Sequence, residues 1–281
     1  MPATAKAPAK LKPVIRTSVS KRGVGTITID RPEVNNAYNR DMLLQAIAAV
    51  TKFAHDPKVR VIVIRGNGPH FQAGADLKWI RGNIELSPEE NFLISVDTTN
   101  AIRGLNEVPK PTIALVHGGC FGGGTGIAAA CDVVIASEDA FFAITEAKWG
   151  LMASPIYPVL LGRMAARHVR RYSITCERFG AAKAAELGLV DEVCPVGGLD
   201  AAAEPIIESI LQVSPGGIAA SKLSILECAG MVVDEKRARE LARDHAGKRM
   251  TDEAVEGLMS FIEKRPAAWY APYAEAAKKA K

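Results

Sequence analysis

The sequence predicts an α/β fold with a largely parallel sheet, followed by a helical C-terminal region. Three observations carry that expectation. Short β-branched runs alternate with segments of helical periodicity through the first two hundred residues. Most of those runs are apolar on both faces, as strands covered by helices on each side must be. Beyond residue 200 the pattern is helical and alanine-rich, with no convincing strand.

Taken in order, residues 24–30 (VGTITID) alternate as a strand and close at Arg31-Pro32. Asn39 stands where a helix N-cap belongs, with Met42, Leu43, Ala46, Ile47 and Val50 following at helical spacing. Residues 60–65 form a β-branched strand ended by Gly66-Asn67-Gly68-Pro69. Residues 88–107 read as a helix and 111–117 as a third strand. A glycine cluster at 118–126 leads into an apolar helix at 127–131 and a strand at 132–136. Two or three amphipathic helices are expected from about 200 onward, packed on the core or on a neighbouring subunit. The expected organisation is a disordered basic tail at 1–13, a core at 14–199 and a helical region at 200–281.

Composition narrows the function classes. A chain of 281 residues with 48% apolar and 23% charged residues buries roughly 70–75% of its unfolded surface. Its longest apolar runs fall far short of the ~20 residues that span a bilayer. The net charge of +4 is concentrated at the start: Lys6, Lys10, Lys12, Arg16, Lys21 and Arg22 occur with no acid before residue 23. The remainder holds 29 basic against 31 acidic residues, so no basic stripe suggests nucleic acid. The tail has no apolar h-region of a secretory signal and reads as part of a cytoplasmic protein. Cys120, Cys131, Cys176, Cys194 and Cys228 form no CxxC pair and no Cys/His cluster. They read as reduced, buried thiols, and no metal site is expected.

Three segments carry candidate chemistry. In Phe71-Gln72-Ala73-Gly74-Ala75-Asp76-Leu77-Lys78, small residues let a ligand approach the backbone, and Asp76 can cap a following helix. In residues 118–126, six glycines in nine positions open a helix. The free N–H groups there suit an anion or a developing oxyanion. The spacing matches neither the P-loop nor the dinucleotide fingerprint. In residues 141–150, Glu146 lies among Phe, Ile and Trp; if buried, its pKa rises toward neutrality, as a general acid/base requires.

Together these segments resemble the crotonase (enoyl-CoA hydratase/isomerase) superfamily. The similarity runs from about 14 to 269. It takes in Arg31-Pro32 with Asn36-Ala37, AGADLK at 73–78, FGGGTGIAAACD at 121–132 and residues 141–150. It continues through ITCERFGAAKAAELGLVDEV at 174–193 and GLMSFIEKRPAAW at 257–269. RRYSITCERF and the Pro-containing turn at 151–158 look most like bacterial methylglutaconyl-CoA and isohexenylglutaconyl-CoA hydratases. The resemblance implies the crotonase (ClpP-like) fold, a spiral of ββα units with a C-terminal helical trimerisation region. It also implies a homotrimer or hexamer, an acyl-CoA thioester substrate, and no cofactor beyond the coenzyme A of that thioester. By the same resemblance, the backbone N–H groups of Ala75 and Gly123 form an oxyanion hole. Donors so placed are worth ~3–4 kcal/mol each. Glu146 is the implied catalytic carboxylate. Asp76, Leu77 and Lys78 would line the CoA path with Ala73 at its adenine end. Trp149, Met152 and Tyr157 are expected around the acyl group.

One departure matters. Hydratases of the superfamily carry a first glutamate where this chain has Gly126. Glu146 is therefore expected to work alone, in hydration of a branched, polar or aromatic 2-enoyl-CoA. A Δ3,Δ2-enoyl-CoA isomerase, a hydroxycinnamoyl-CoA hydratase-lyase and a silent acyl-CoA-binding paralogue are the alternatives. Ala153-Ser154 replace the family's usual Pro-Gly, and Glu33 stands where relatives often carry a basic residue. His117 is read as packing, Asp132 as a structural turn carboxylate, and Arg163, Arg167, Arg170 and Arg171 as a solvated or interface face.

Overall fold

The computed structural model describes residues 13–270. Apart from Pro13, the expected basic tail lies outside the described residues, as does the end of the C-terminal region.

A six-stranded sheet is built from β1 (Ile15–Val19), β2 (Val24–Ile29), β3 (Val61–Gly66), β4 (Thr112–Val116), β6 (Val133–Ser137) and β9 (Glu192–Cys194), hydrogen-bonded in that spatial order. β1 pairs antiparallel with β2, and every later pairing is parallel. A smaller sheet joins β5 (Gly119–Phe121), β7 (Phe141–Ala143) and β8 (Phe179–Gly180), with β7 in the middle. Each parallel step needs a crossover, and helices supply it. α1 (Arg40–His55) follows β2; α2 (Leu77–Asn83) and α3 (Pro88–Glu107) follow β3; α4 (Gly123–Ala129) follows β5.

Local chemistry explains the boundaries. The Asn39 side chain accepts from Met42 N at 3.0 Å and starts α1. Ser87 and Glu90 form a capping box ahead of α3, with Pro88 in its first turn. β4 is buried along its whole length. On one side its neighbours meet α1 and α3; on the other, Val61, Val63, Ile113, Leu115 and Ile135 pack against Leu199, Ala203 and Ile207.

The last three residues belong to α8 (Leu199–Gln212), which is therefore a layer of the sheet's core. Between β7 and α8 lie α5 (Tyr157–Arg163), α6 (Ala166–Thr175) and α7 (Ala181–Glu186). After α8 come α9 (Pro215–Cys228), α10 (Glu235–Arg249) and α11 (Asp252–Ile262). Four helices thus occupy the described part of a region where two or three were expected. α10 lies along α3. α9 buries only Leu226 and leaves Leu223 and Ile225 exposed.

Two further expectations change. β1 was not legible, because its polar, mostly exposed sequence IRTSV sits within the basic leading segment. The helix after the glycine cluster begins at Gly123, not 127, so the glycines themselves form its first turn.

Candidate active site

Residues 72–76 are held like a short strand between two neighbours. On one side, Tyr38 N donates to Gly74 O at 2.9 Å and Asp76 N to Tyr38 O at 2.8 Å. On the other, Phe121 N donates to Gln72 O at 2.9 Å and Gln72 N to Gly119 O at 3.2 Å. The buried Gln72 side chain clamps the intervening turn: its Oε1 accepts from Gly74 N at 2.8 Å, and its Nε2 donates to Gly74 O at 2.9 Å. In a parallel bridge the residue between the two bonded neighbours turns its own N–H away from the partner strand. That residue is Ala75, and its N–H has no hydrogen bond among the described residues. Gly123, first residue of α4, likewise keeps a free N–H, as helix-opening residues do. The two segments touch, since a Cβ on Gly74 would lie 3.1 Å from Phe121 O and 3.9 Å from the Gly122 Cα.

Glu146 opens a single 3₁₀ turn (Glu146–Trp149) just after β7. Some of the residue reaches the surface, but its Oε2 is buried without a hydrogen-bond partner. Burial pushes the carboxyl up to about 7, against the pull of hydrogen bonds from the Glu146 and Thr145 backbone. Gly122 makes room for it. A Cβ there would lie 2.9 Å from Glu146 Oε1, and the residue's φ of +50° already disfavours any side chain. Glu146 and Gly123 share the wall of one apolar cavity of about 70 Å³ with Tyr38, Ile127, Ile156 and His245. From behind, α11 supports the Glu146 turn: a Cβ on Gly257 would meet Trp149 C and O at 2.4 Å.

The space beside Gly126 is filled. A Cβ at Gly126 would lie 2.1 Å from Ile156 Cγ2, so that glycine is a packing requirement. Gly123 is constrained in the same way. Its Cβ would first meet the Tyr38 ring, at 2.6 Å from Cε1. Packing on Tyr38 therefore demands a glycine at 123 whatever binds beside it.

Other expected site residues separate into groups. Asp76 does cap α2, accepting from Lys78 N at 3.1 Å, and its other oxygen faces Arg31 at 3.4 Å. Ala73 N donates to Asn35 O at 3.1 Å, and Leu77 packs beside Ile80, Leu151 and Leu258. Trp149 and Tyr157 do not line the cavity that Glu146 faces, contrary to expectation. Trp149 turns outward, edge-on to Phe261, and joins Lys78, Lys148, Lys264, Arg265 and Trp269 around a groove of about 850 Å³. Tyr157 is half-buried; burial and the nearby Glu146 raise its pKa.

His117 Nε2 meets Gly68 O at 2.8 Å, and Asp132 accepts from Thr112 N and Lys222 Nζ at 2.8 Å each. Arg163 differs from the solvated reading. It is largely buried, paired with Asp191 and donating to Cys131 O. Among the cysteines, Cys228 is exposed and Cys176 partly so.

Several residues near the site were missed. Tyr38 lines the cavity, buried and within electrostatic reach of Glu146. Burial first, then that carboxylate, raise its phenol's pKa. Gln72 was quoted without a role. His245 and Arg249 are one turn apart on α10 and joined through Ser95 of α3. The i, i+4 spacing is visible in the sequence, but the helix is so highly charged that the pattern does not mark a buried face.

A largely parallel sheet wound with helices, with a second small sheet beside it, is the crotonase fold, and solved structures of that class match nearly the whole chain. An enoyl-CoA hydratase from Shewanella pealeana is 34% identical with a TM-score of 0.75, covering 91% of this chain and 96% of that one. The chain belongs to the enoyl-CoA hydratase/isomerase family, whose profile matches residues 19–272. Relatives of both kinds are similar to it. An enoyl-CoA hydratase of Mycobacterium tuberculosis is 32% identical over 260 residues, 88% of this chain and 93% of the relative. A mitochondrial Delta(3,5)-Delta(2,4)-dienoyl-CoA isomerase of Dictyostelium discoideum is 30% identical over 255 residues, 86% of each.

Proposed function

We propose that this enzyme hydrates a 2-enoyl-CoA with Glu146 as its only carboxylate. The observation that carries this reading is the Glu146 carboxyl on the same cavity wall as Gly123, its Oε2 buried without a hydrogen-bond partner and its pKa raised by burial to about 7. A base poised near the working pH takes a proton readily and returns it readily. The thioester oxygen sits on the N–H groups of Ala75 and Gly123, which stabilise negative charge as it becomes an enolate. Ionised Glu146 takes a proton from water as the water oxygen bonds to the substrate's β-carbon. The π electrons move to the thioester oxygen. As the enolate collapses, the same carboxylic acid delivers its proton to the α-carbon, leaving Glu146 ionised again. The groove beside Trp149 suits the coenzyme A portion: Lys78, Lys148, Lys264 and Arg265 match phosphates, and Trp149 and Trp269 offer aromatic surface.

Double-bond migration is the second reading, favoured by Ile156 filling the place of a second carboxylate. There Glu146 would carry a proton between two substrate carbons, with no water added. Incubation with crotonyl-CoA and, separately, a 3-enoyl-CoA distinguishes the two by the conjugated-thioester absorbance. Hydration predicts loss of absorbance with crotonyl-CoA and formation of the 3-hydroxyacyl thioester. Absorbance gained from the 3-enoyl substrate, with crotonyl-CoA untouched, would replace hydration by isomerisation.

A further inference from the structure

Tyr38 is 7% exposed and lines the cavity that Glu146 and Gly123 share. Its hydroxyl makes no hydrogen bond among the described residues. Glu146 Oε2, on the same wall, has none either. Buried polar atoms are paired as a rule, so two orphans in one apolar cavity call for an explanation. The backbone fixes where the phenol stands. Tyr38 N donates to Gly74 O at 2.9 Å and Tyr38 O accepts from Asp76 N at 2.8 Å, tying the residue to the segment that carries Ala75. Its ring lies edge-on to Trp79, with centroids 6.0 Å apart. A Cβ on Gly123 would stand 2.6 Å from Tyr38 Cε1 and 3.4 Å from Cζ, so the hydroxyl-bearing end of the ring adjoins the start of α4. One residue earlier, a Cβ on Gly122 would stand 2.9 Å from Glu146 Oε1. Phenol and carboxyl thus flank two consecutive glycines. Burial, and then the Glu146 charge, raise the phenol's pKa, so the hydroxyl is neutral at physiological pH.

The other polar groups on the wall are committed. Besides Tyr38 and Glu146, only Thr98 and His245 carry polar side chains there. Thr98 Oγ1 turns back onto its own helix and donates to Ile94 O at 3.0 Å. Burial, with the Arg249 charge beside it, holds the His245 imidazole down at about 3, so it too is neutral. The Ser95 hydroxyl accepts from Arg249, and its own proton goes to His245 Nδ1, 3.0 Å away. His245 Nε2 then carries a hydrogen and cannot accept one. The Tyr38 oxygen is left as the uncommitted acceptor on the wall that Glu146 shares.

We propose that the Tyr38 hydroxyl is the second catalytic group, holding together with Glu146 the water that adds to the substrate. This rests on the hydratase reading above and supplies the partner that Gly126 cannot. The water points one proton at Glu146 Oε2 and hydrogen-bonds through the other to the Tyr38 oxygen, which turns a lone pair toward the β-carbon. As the C–O bond forms and the substrate's double bond opens, the first proton passes to Glu146 and on to the α-carbon. The second stays on oxygen as part of the product's hydroxyl, so Tyr38 keeps its own proton throughout. A neutral oxygen in this place also spares Glu146 a like-charged neighbour. The cavity, at about 70 Å³, has room for the water.

Crystal structures of the full-length protein and of Tyr38→Phe, both without ligand, test the water site. A water within hydrogen-bond distance of both Glu146 and Tyr38 Oη is expected in the wild type and not in the variant. Its absence from the wild type overturns the proposal, and that observation needs no variant to fold. Kinetics test its use. Tyr38→Phe keeps the ring against Gly123 and Trp79, so KM for crotonyl-CoA should hardly change. Its kcat for hydration should fall on the order of 10–100-fold, as for a lost hydrogen bond to a group gaining charge. Exchange of the α-protons of butanoyl-CoA in heavy water needs Glu146 and the thioester contacts but no attacking water, and should be unchanged. Hydration at the wild-type rate in Tyr38→Phe, or equal losses of hydration and exchange, overturns the role. The bridging water seen in a wild-type protein that hydrates no crotonyl-CoA sustains the Tyr38 site and removes the hydratase reading instead.

Discussion

The two sides of the site are built in different ways. The proposed oxyanion side is backbone: Ala75 and Gly123 N–H groups, positioned by strand-like pairing with Tyr38 and residues 119–121 and by the Gln72 clamp. The proposed proton side is side chain: Glu146 on a short turn, with Tyr38 and His245 along the same cavity and Arg249 behind. Backbone donors are set by the fold and tolerate changes of side chain only where space allows. A buried carboxyl instead depends on the polarity of everything around it. Mutations on the first side should therefore act by displacement, and on the second by charge and proton affinity.

The largest effect is expected from Glu146→Gln. The amide keeps size and hydrogen bonding but cannot accept the proton, so kcat should fall ~10²–10⁴-fold. In the wild type, kcat/KM should decline as pH falls below about 7, because the carboxylate must be ionised to take a proton from water. Stability should move in the opposite sense. A carboxyl raised from 4.5 to about 7 in the folded state contributes stability below its unfolded pKa and loses it as pH rises through about 7. At pH 8 the variant should thus be more stable than the wild type, by roughly 3 kcal/mol, with no such gain near pH 4. Thermal unfolding at the two pH values, alongside steady-state rates, checks both signs. Near-normal turnover in Glu146→Gln would place the base elsewhere.

On the opposite side, Gly123→Val tests displacement. Its Cβ would press on the Tyr38 ring at 2.6 Å from Cε1, and relief requires moving either the ring or the α4 N-terminus. Misplacing one oxyanion donor costs ~10²–10³-fold in kcat. The pH profile should keep its limb near 7, because the environment of Glu146 is not directly altered. A drop in rate accompanied by a shifted limb would show that the two sides are not separable.

That contrast also explains what the sequence revealed. The small residues of AGADLK and FGGGTGIAAACD suggested a close approach to the backbone, and the family resemblance then pointed to Ala75 and Gly123, whose N–H groups the structure leaves without a hydrogen bond. The raised pKa of Glu146 was legible as a consequence of burial among its apolar neighbours, a burial the structure shows at Oε2. What surrounds the acyl group was not. Trp149 was expected inward but packs against Phe261, and that contact depends on where α11 returns to the core. Tyr38 reads as an ordinary residue ahead of a helix until the Gly74 and Gly123 segments close around it. His245 and Arg249 sit in a helix so charged that nothing local distinguishes a buried face from a solvated one; only packing on α3 decides it. β1 was hidden for a related reason, since an edge strand need not be apolar.

The smallest catalytic effect, and the most direct probe of the single-carboxylate arrangement, is expected from Gly126→Glu. Restoring the missing glutamate would raise simple crotonyl-CoA hydration only if the pocket admitted it. The structure removes that condition. Ile156 occupies the volume, 2.1 Å from where the Cβ would be, and Ile102 follows at 3.5 Å. Ile156 opens into α5 beside the cavity wall, so it cannot withdraw without disturbing the packing around Glu146. Overpacking of this kind costs typically ~1–3 kcal/mol, and a second buried carboxyl near the first would raise both pKa values further. Gly126→Glu alone should lower thermal stability and leave crotonyl-CoA hydration no faster. The paired change Gly126→Glu with Ile156→Ala clears the obstructing methyls and separates space from chemistry. If the double variant hydrates crotonyl-CoA faster than Ile156→Ala does, packing alone kept the second carboxylate out. If the single variant already gains activity, Ile156 does not fill the site as described, and the one-carboxylate reading fails with it.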